Sequence, residues 1–141
     1  MKDLTIIMPT YNKEKYIRKA LDSIFEQQTD YSFNILIADD FSTDQTLDII
    51  NEYKDKKLIE IQVFLSEKNN GLYENIMRAY DSLDCNYFTV LDPDDYWCDK
   101  NKIQVALNYL ESHREYTIFS SNIFVNDKNG KSKYFKEKKE K

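Results

Sequence analysis

Asp92, Asp94 and Asp95 crowd three carboxylates into four residues around Pro93, and a second acidic pair, Asp39-Asp40, closes an apolar run earlier in the chain. Carboxylates this close repel one another unless a cation joins them. In extended backbone, residues two apart project to the same side. Pro93 fixes its own φ and biases Asp92 toward extended conformation, so the spacing predicts that Asp92 and Asp94 present their oxygens together. A hard divalent ion, Mg²⁺ or Mn²⁺, suits such ligands, and Mg²⁺ commonly takes one or two carboxylates with substrate phosphates completing its shell. The same residues also read as a solvated acidic turn that caps the next helix.

Of Asp39 and Asp40, one suits a base or ribose contact and the other suits capping a turn over Ser42 to Gln45. Tyr11, beside Asn12, offers an aromatic face to a nucleobase. Lys68, just before Asn69-Asn70-Gly71, can approach a phosphate at a helix start. Other chemistries lack their residues. Gly71 and Gly130 are the only glycines, so neither a G-x-G-x-x-G turn nor a P-loop is present. Cys85 and Cys98 form no C-x-x-C pair, and the lone His113 falls near a helix carboxyl end, where its charged form is favoured. Reduced packing cysteines point to a cytoplasmic setting.

Positioning these groups requires a framework, and the apolar spacing supplies one. Residues 4–8 form a short apolar strand ended by Pro9, and Asn12 is placed to cap a helix carrying Tyr16, Ile17, Ala20, Leu21, Ile24 and Phe25. Residues 33–38 form a second buried strand, followed by Ser42 and Gln45 at capping-box spacing and a helix with Leu47, Ile50 and Tyr53. A strand at 59–65, a helix after Gly71, a strand at 86–91, a helix capped by Asp99 and a fifth strand at 117–125 complete the order. Strands separated by single helices need crossovers, so the sheet is expected to be mainly parallel and covered on both faces, a three-layer α/β/α domain. Such sheets bind ligands beyond the carboxyl ends of their strands, where the winding reverses. Thr10-Tyr11-Asn12, Asp39-Asp40 and Asp92 to Asp95 all fall at strand carboxyl ends.

At 141 residues the chain is one domain by length, and 41% hydrophobic with 32% charged residues fits a soluble globular protein. A net charge of −5 argues against nucleic acid as a partner. Residues 126–141 hold seven lysines and three acids, a local +4, which leaves −9 on residues 1–125. The expected division is therefore a domain over 1–125 and a Lys-rich tail over 126–141, which reads as a solvated terminus or as a contact for anionic lipid headgroups at the inner face of a membrane. No apolar run approaches a bilayer span, and the stretch before Pro9 is too short for a signal-peptide core. An unfinished sheet edge would suit homodimer formation.

Four segments together resemble family-2 glycosyltransferases of the GT-A fold, a Rossmann-like α/β architecture. They are Ile6-Ile7-Met8-Pro9-Thr10-Tyr11-Asn12, Ile37-Ala38-Asp39-Asp40-Phe41-Ser42-Thr43-Asp44-Gln45-Thr46, Lys68-Asn69-Asn70-Gly71 with Asn75, and Leu91-Asp92-Pro93-Asp94-Asp95 with Trp97. The resemblance covers residues 4 to 98. It implies that Pro9, Thr10 and Tyr11 line a base pocket and that Asp39 hydrogen-bonds the base. It places Asp92 near the ribose or sugar, Asp94 on Mg²⁺ or Mn²⁺, and Asp95 in support. Asn12, Asp40, Lys68 and Asn75 complete the nucleotide-sugar-binding set. The implied reaction moves a sugar, with inversion, from a nucleoside-diphosphate sugar to a hydroxyl of an acceptor glycan or lipid-linked sugar.

Phe41 and Gln45 stand where the family usually has glycine, so the turn after Asp40 is expected to resist positive φ. The resemblance also places the acceptor-binding half and the catalytic base beyond residue 141, so the chain reads as truncated, and a donor-binding remnant without transfer is an alternative. A phospho-receiver signalling module is the rival from another class. Against it, a complete β-α unit precedes Asp39-Asp40, and no lysine ends the strand at 117–125.

Overall fold

A computed structural model describes residues 1–126 and 132–135. The chain falls into two compact units, Met1–Val105 and Ala106–Lys141. In the first, strand and helix alternate: β1 (Lys2–Thr10), α1 (Ile17–Phe25), β2 (Phe33–Asp39), α2 (Thr46–Asp55), β3 (Glu60–Leu65), α3 (Leu72–Tyr80) and β4 (Cys85–Val90). Helix α4 (Lys102–Ser112) begins in the first unit and ends in the second.

Runs of β-branched and aliphatic residues make β1 and β2, and both are buried along nearly their whole length, as strands covered on two faces must be. The sheet order is β3-β2-β1-β4 and every pairing in it is parallel. The right-handed rule for such crossovers puts α1 and α2, which contact each other, over one face as the chain steps from β1 to β2 to β3. The return from β3 to β4 runs the other way and puts α3 on the opposite face.

The pleat agrees with that geometry. Ile7, Leu36 and Ala38 pack with Ala79 of α3, flanked by Phe64 and Leu83. Their alternates Ile6, Met8, Ile35 and Ile37 are 0% exposed and face the side left to α1 and α2. There Phe25 and Tyr53 meet edge to face at 5.2 Å. Full burial of each large aliphatic side chain contributes roughly 1.5–3 kcal/mol, so the β1–β2 pair is the main stabilising block. A polar pair lies inside it, with Thr5 Oγ1 donating to Asn34 Oδ1 at 2.8 Å, and a second, Thr10 with Asp39, closes its carboxyl end.

Several expectations change. Pro9 does not end the first strand but pairs within it opposite Ala38. Pairing of β1 with β4 stops at Ile7–Val90, so the proline lies past the end of that ladder. Asn12 does not cap α1. It adopts φ 49° and turns its Oδ1 to Thr43 N, while a turn on Lys13 O leads into Ile17. The Ser42–Gln45 capping box does not form, because Ser42 is held by Asp39 and α2 starts only at Thr46. Asp44 caps it instead, accepting from Thr46 N at 3.0 Å.

The fifth strand is shorter than expected and does not extend the parallel sheet. Only β5 (Ile123–Asn126) is extended, and it pairs antiparallel with β6 (Ser132–Phe135). A neighbour close in sequence can pair antiparallel through a short connection, whereas a parallel partner needs a long crossover. Strand β6 lies within the Lys-rich segment, most of which is outside the described residues, as is the lipid contact expected of it. None of the described helices is long and apolar enough to cross a membrane.

Candidate nucleotide-sugar site

The winding of the sheet reverses between β1 and β4, which puts the ligand crevice expected of such sheets beyond their carboxyl ends. The loop after β1 forms one wall. Pro9 and Thr10 are buried, while Tyr11 is 45% exposed and is the part of that segment open to a ligand. Three successive backbone N–H groups are tied to the loop after β2: Asn12 to Ser42 Oγ at 2.9 Å, Lys13 to Thr46 Oγ1 at 2.8 Å and Glu14 to Asp44 Oδ2 at 3.1 Å. Gln45 N returns the contact to Glu14 Oε2 at 3.0 Å. The two loops are therefore zipped into one rigid wall.

Asp39 and Asp40 are 1% and 3% exposed, and both work as braces. Asp39 Oδ1 accepts from Thr10 Oγ1 at 2.9 Å and Ser42 Oγ at 2.6 Å, and Oδ2 accepts from Ser42 N at 2.8 Å. A carboxylate has about four acceptor sites, which leaves one on Oδ2. Asp40 holds the loop before α3, accepting from Asn70 N at 2.9 Å and Gly71 N at 2.8 Å. Lys68 is exposed on that loop, and Gly71 adopts φ 90°, ψ 159°, a region essentially reserved for glycine.

Phe41 does adopt positive φ, at 69°, contrary to expectation. The bonds from Ser42 to Asp39 fix the turn, so Phe41 carries the strain with its ring 48% exposed. Asn75 is 2% exposed and faces the core, not the crevice. Its Nδ2 donates to Ala38 O, linking α3 to β2, and its buried Oδ1 has no partner among the described residues.

The opposite wall is the acidic segment after β4. It is not extended: Asp95 N donates to Asp92 O at 2.9 Å, closing a turn with Pro93 as its second residue, where proline's fixed φ fits. Asp92 and Asp94 therefore sit on a turn and not on the extended backbone that the spacing predicted. Beyond the turn the chain is anchored to α1 and the residues just after it, with Trp97 N on Ser23 Oγ at 3.1 Å and Gln27 Nε2 on Asp99 O at 2.8 Å.

Asp92, Asp94 and Asp95 are all exposed. The surrounding protein still pushes the Asp92 carboxyl above its ordinary value, and the charges of Asp94 and Asp95 add to the rise. Asp94 goes the other way, because the Lys13 ammonium donates to it and holds it low. That contact, Lys13 Nζ to Asp94 Oδ2 at 2.8 Å, spans the crevice from wall to wall. With the two side chains 30% and 49% exposed, the pair contributes at most about 1 kcal/mol.

Lys13 was not among the residues singled out from the sequence. Nothing in its spacing marks it, because it faces Asp94 only once β1 and β4 are neighbours. Among the described residues no three His, Cys, Asp or Glu side chains converge on a point that could hold a metal. A cation of the Mg²⁺ type does not need three, and Asp94 already has a positive charge seated on it, so the donor set fits one.

A parallel sheet with an acidic turn at its switch point agrees with the GT-A architecture that the sequence resemblance implied. Residues 5–140 match the model of glycosyl transferase family 2, and the chain belongs to that family. It is 30% identical over 139 residues to poly(ribitol-phosphate) beta-N-acetylglucosaminyltransferase TarS of Staphylococcus aureus, covering 97% of this chain and 24% of that protein. It is also 35% identical over 115 residues to an uncharacterised Mycobacterium tuberculosis protein, covering 82% of this chain and 33% of the relative.

The structure of TarS 1–349 in complex with UDP-GlcNAc matches with a TM-score of 0.72 and 32% identity, over 79% of this chain and 32% of that one. A Pyrobaculum calidifontis mannosyltransferase, PcManGT, in complex with GDP-Man and Mn²⁺, shares the fold at a TM-score of 0.69 and 22% identity, over 78% of this chain and 34% of that one. The chain thus spans about a third or less of the length of these proteins. Family membership removes the phospho-receiver reading.

Proposed function

We propose that this chain binds a nucleoside-diphosphate sugar with Mg²⁺ or Mn²⁺ in the crevice between the β1 and β4 loops, and serves inverting transfer of the sugar to an acceptor hydroxyl on a glycan or lipid-linked sugar in surface-glycan synthesis. The observation that carries this reading is the Asp94 carboxylate, set on a turn at the switch point with a cation already against it. The UDP-GlcNAc complex of the related TarS supports the choice of ligand class.

In this reading Tyr11 offers its ring to the base, backed by Pro9 and Thr10. Asp39 uses its remaining acceptor site on the base, and Asp92 lies toward the ribose or sugar. Lys68 meets phosphate, while Asn12, Asp40 and Asn75 hold the loops in register. Asp94 holds the metal with Asp95 in support, and the metal when bound stabilises negative charge on the departing diphosphate. A cytoplasmic location, contact of 126–141 with the inner membrane face, and a homodimer through the outer edge of β4 belong to the same proposal.

Calorimetric titration with uridine, guanosine and thymidine diphosphates, with and without Mn²⁺, tests it. At least one should bind in a metal-dependent way, and Asp94→Ala should remove that dependence. Binding by none of the three, or binding indifferent to both Mn²⁺ and Asp94→Ala, would sink the reading.

A further inference from the structure

We infer that Lys13 is a resident counter-ion of this site, whose ammonium occupies the Asp94 oxygen a divalent cation would take and must leave before that cation binds. The inference rests on the metal-dependent reading above and assigns a role to a residue outside its ligand set.

The geometry leaves Lys13 one way to move. Its backbone is clamped, with its own N–H on Thr46 Oγ1 at 2.8 Å and its carbonyl accepting from Tyr16 N at 2.9 Å and Ile17 N at 3.0 Å. The residues on either side are tied to Ser42 and Asp44. Only the side chain can travel, and it reaches across 81 positions of sequence to Asp94 Oδ2. That contact is half-exposed and weak, so exchange is easy.

Charge favours the exchange. The Lys13 ammonium brings one positive charge to a turn that carries three carboxylates, those of Asp92, Asp94 and Asp95. A divalent ion neutralises more of that charge. The ammonium and the ion cannot share one oxygen, because like charges a few ångströms apart repel. Once displaced, the ammonium is left at the mouth of a crevice into which an anionic diphosphate would bring compensating charge. Lys13 should therefore oppose metal binding most when no nucleotide is present, which couples the two ligands.

Mn²⁺ titration followed by electron paramagnetic resonance tests this, on the whole chain with and without UDP. The variants are Lys13→Met, Lys13→Gln, Lys13→Arg and Asp94→Asn, with folding checked by circular dichroism. Without UDP, Lys13→Met and Lys13→Gln should bind Mn²⁺ about three- to fivefold more tightly than wild type. Lys13→Arg should behave like wild type, and Asp94→Asn should abolish binding. With UDP, the gain in the two neutral variants should shrink. If wild type binds Mn²⁺ in the presence of UDP but the neutral variants show unchanged or weaker affinity without it, the counter-ion role is wrong and the metal site stands. If no Mn²⁺ binds to wild type even with UDP, both fall.

Discussion

Asp40 gives both carboxylate oxygens to backbone N–H groups, those of Asn70 and Gly71, and so fixes the loop from which Lys68 extends. Asp94, of the same residue type, stands exposed with a lysine for a partner. The difference is one of position. A carboxylate at 3% exposure survives only if its oxygens are fully engaged, whereas one on an exposed turn can exchange partners. Replacing Asp40 by Ala strands the Asn70 N–H and leaves Gly71 N with only Asn69 Oδ1, at 3.0 Å, and hydrogen bonds to a charged group contribute roughly 1.5–3 kcal/mol each. Asp40→Ala should therefore lose about 2–4 kcal/mol in urea unfolding. A loss below about 1 kcal/mol would show that the loop is held by something else.

At the scale of elements, α2 depends on Asp44. Its Oδ1 accepts from Thr46 N and Thr46 Oγ1, and its Oδ2 from Glu14 N. Burial pushes this carboxyl up, but the hydrogen bonds from Thr46 and Glu14 outweigh it and leave the group below its ordinary 3.8. A depressed folded value means that the contribution is present above the unfolded pKa and is lost as pH falls through the folded one. Asp44→Ala should cost about 1 kcal/mol near neutral pH, and the difference from wild type should close in acid, below pH 3.8. Urea midpoints measured from neutral pH down into that range would show it. A gap that persists undiminished in acid would mean that the charge is not what caps the helix.

At the scale of the molecule, residues 1–125 carry −9, and the ligand proposed for them is itself an anion. Without metal, long-range repulsion should weaken diphosphate binding at low salt. The Debye length shrinks from about 30 Å at 0.01 M to about 10 Å at 0.1 M. Raising salt over that range should thus strengthen metal-free UDP binding severalfold, with a smaller effect when Mn²⁺ is present. Calorimetry in which affinity falls with salt would instead point to a basic patch as the dominant field. Strand β4 is an outer strand of its sheet, with Phe88 and Val90 48% and 42% exposed. If copies pair there, Phe88→Glu should reduce dimer formation in sedimentation velocity, and a monomeric wild type at high concentration would dispose of the idea.

Local chemistry was enough to place the strands and helices of the first unit and to bring three polar segments to the strand ends. Period-2 and period-3.6 burial is written in neighbouring residues, and the family motifs are contiguous. What the residues did not carry was anything that depends on which elements become neighbours. The parallel sheet stops at β4, and β5 turns to β6, because a strand chooses its partner from the whole chain. Asp39 and Asp40 suit either a ligand contact or a capped turn in the sequence, and only packing shows that both, with Asn75, brace loops and a helix, since buried polar atoms must first be satisfied. Pro93 suited either an extended segment or a turn, and only the hydrogen bond from Asp95 to Asp92 selected the turn. Lys13 meets Asp94 because β4 folds beside β1, a distance no local pattern encodes.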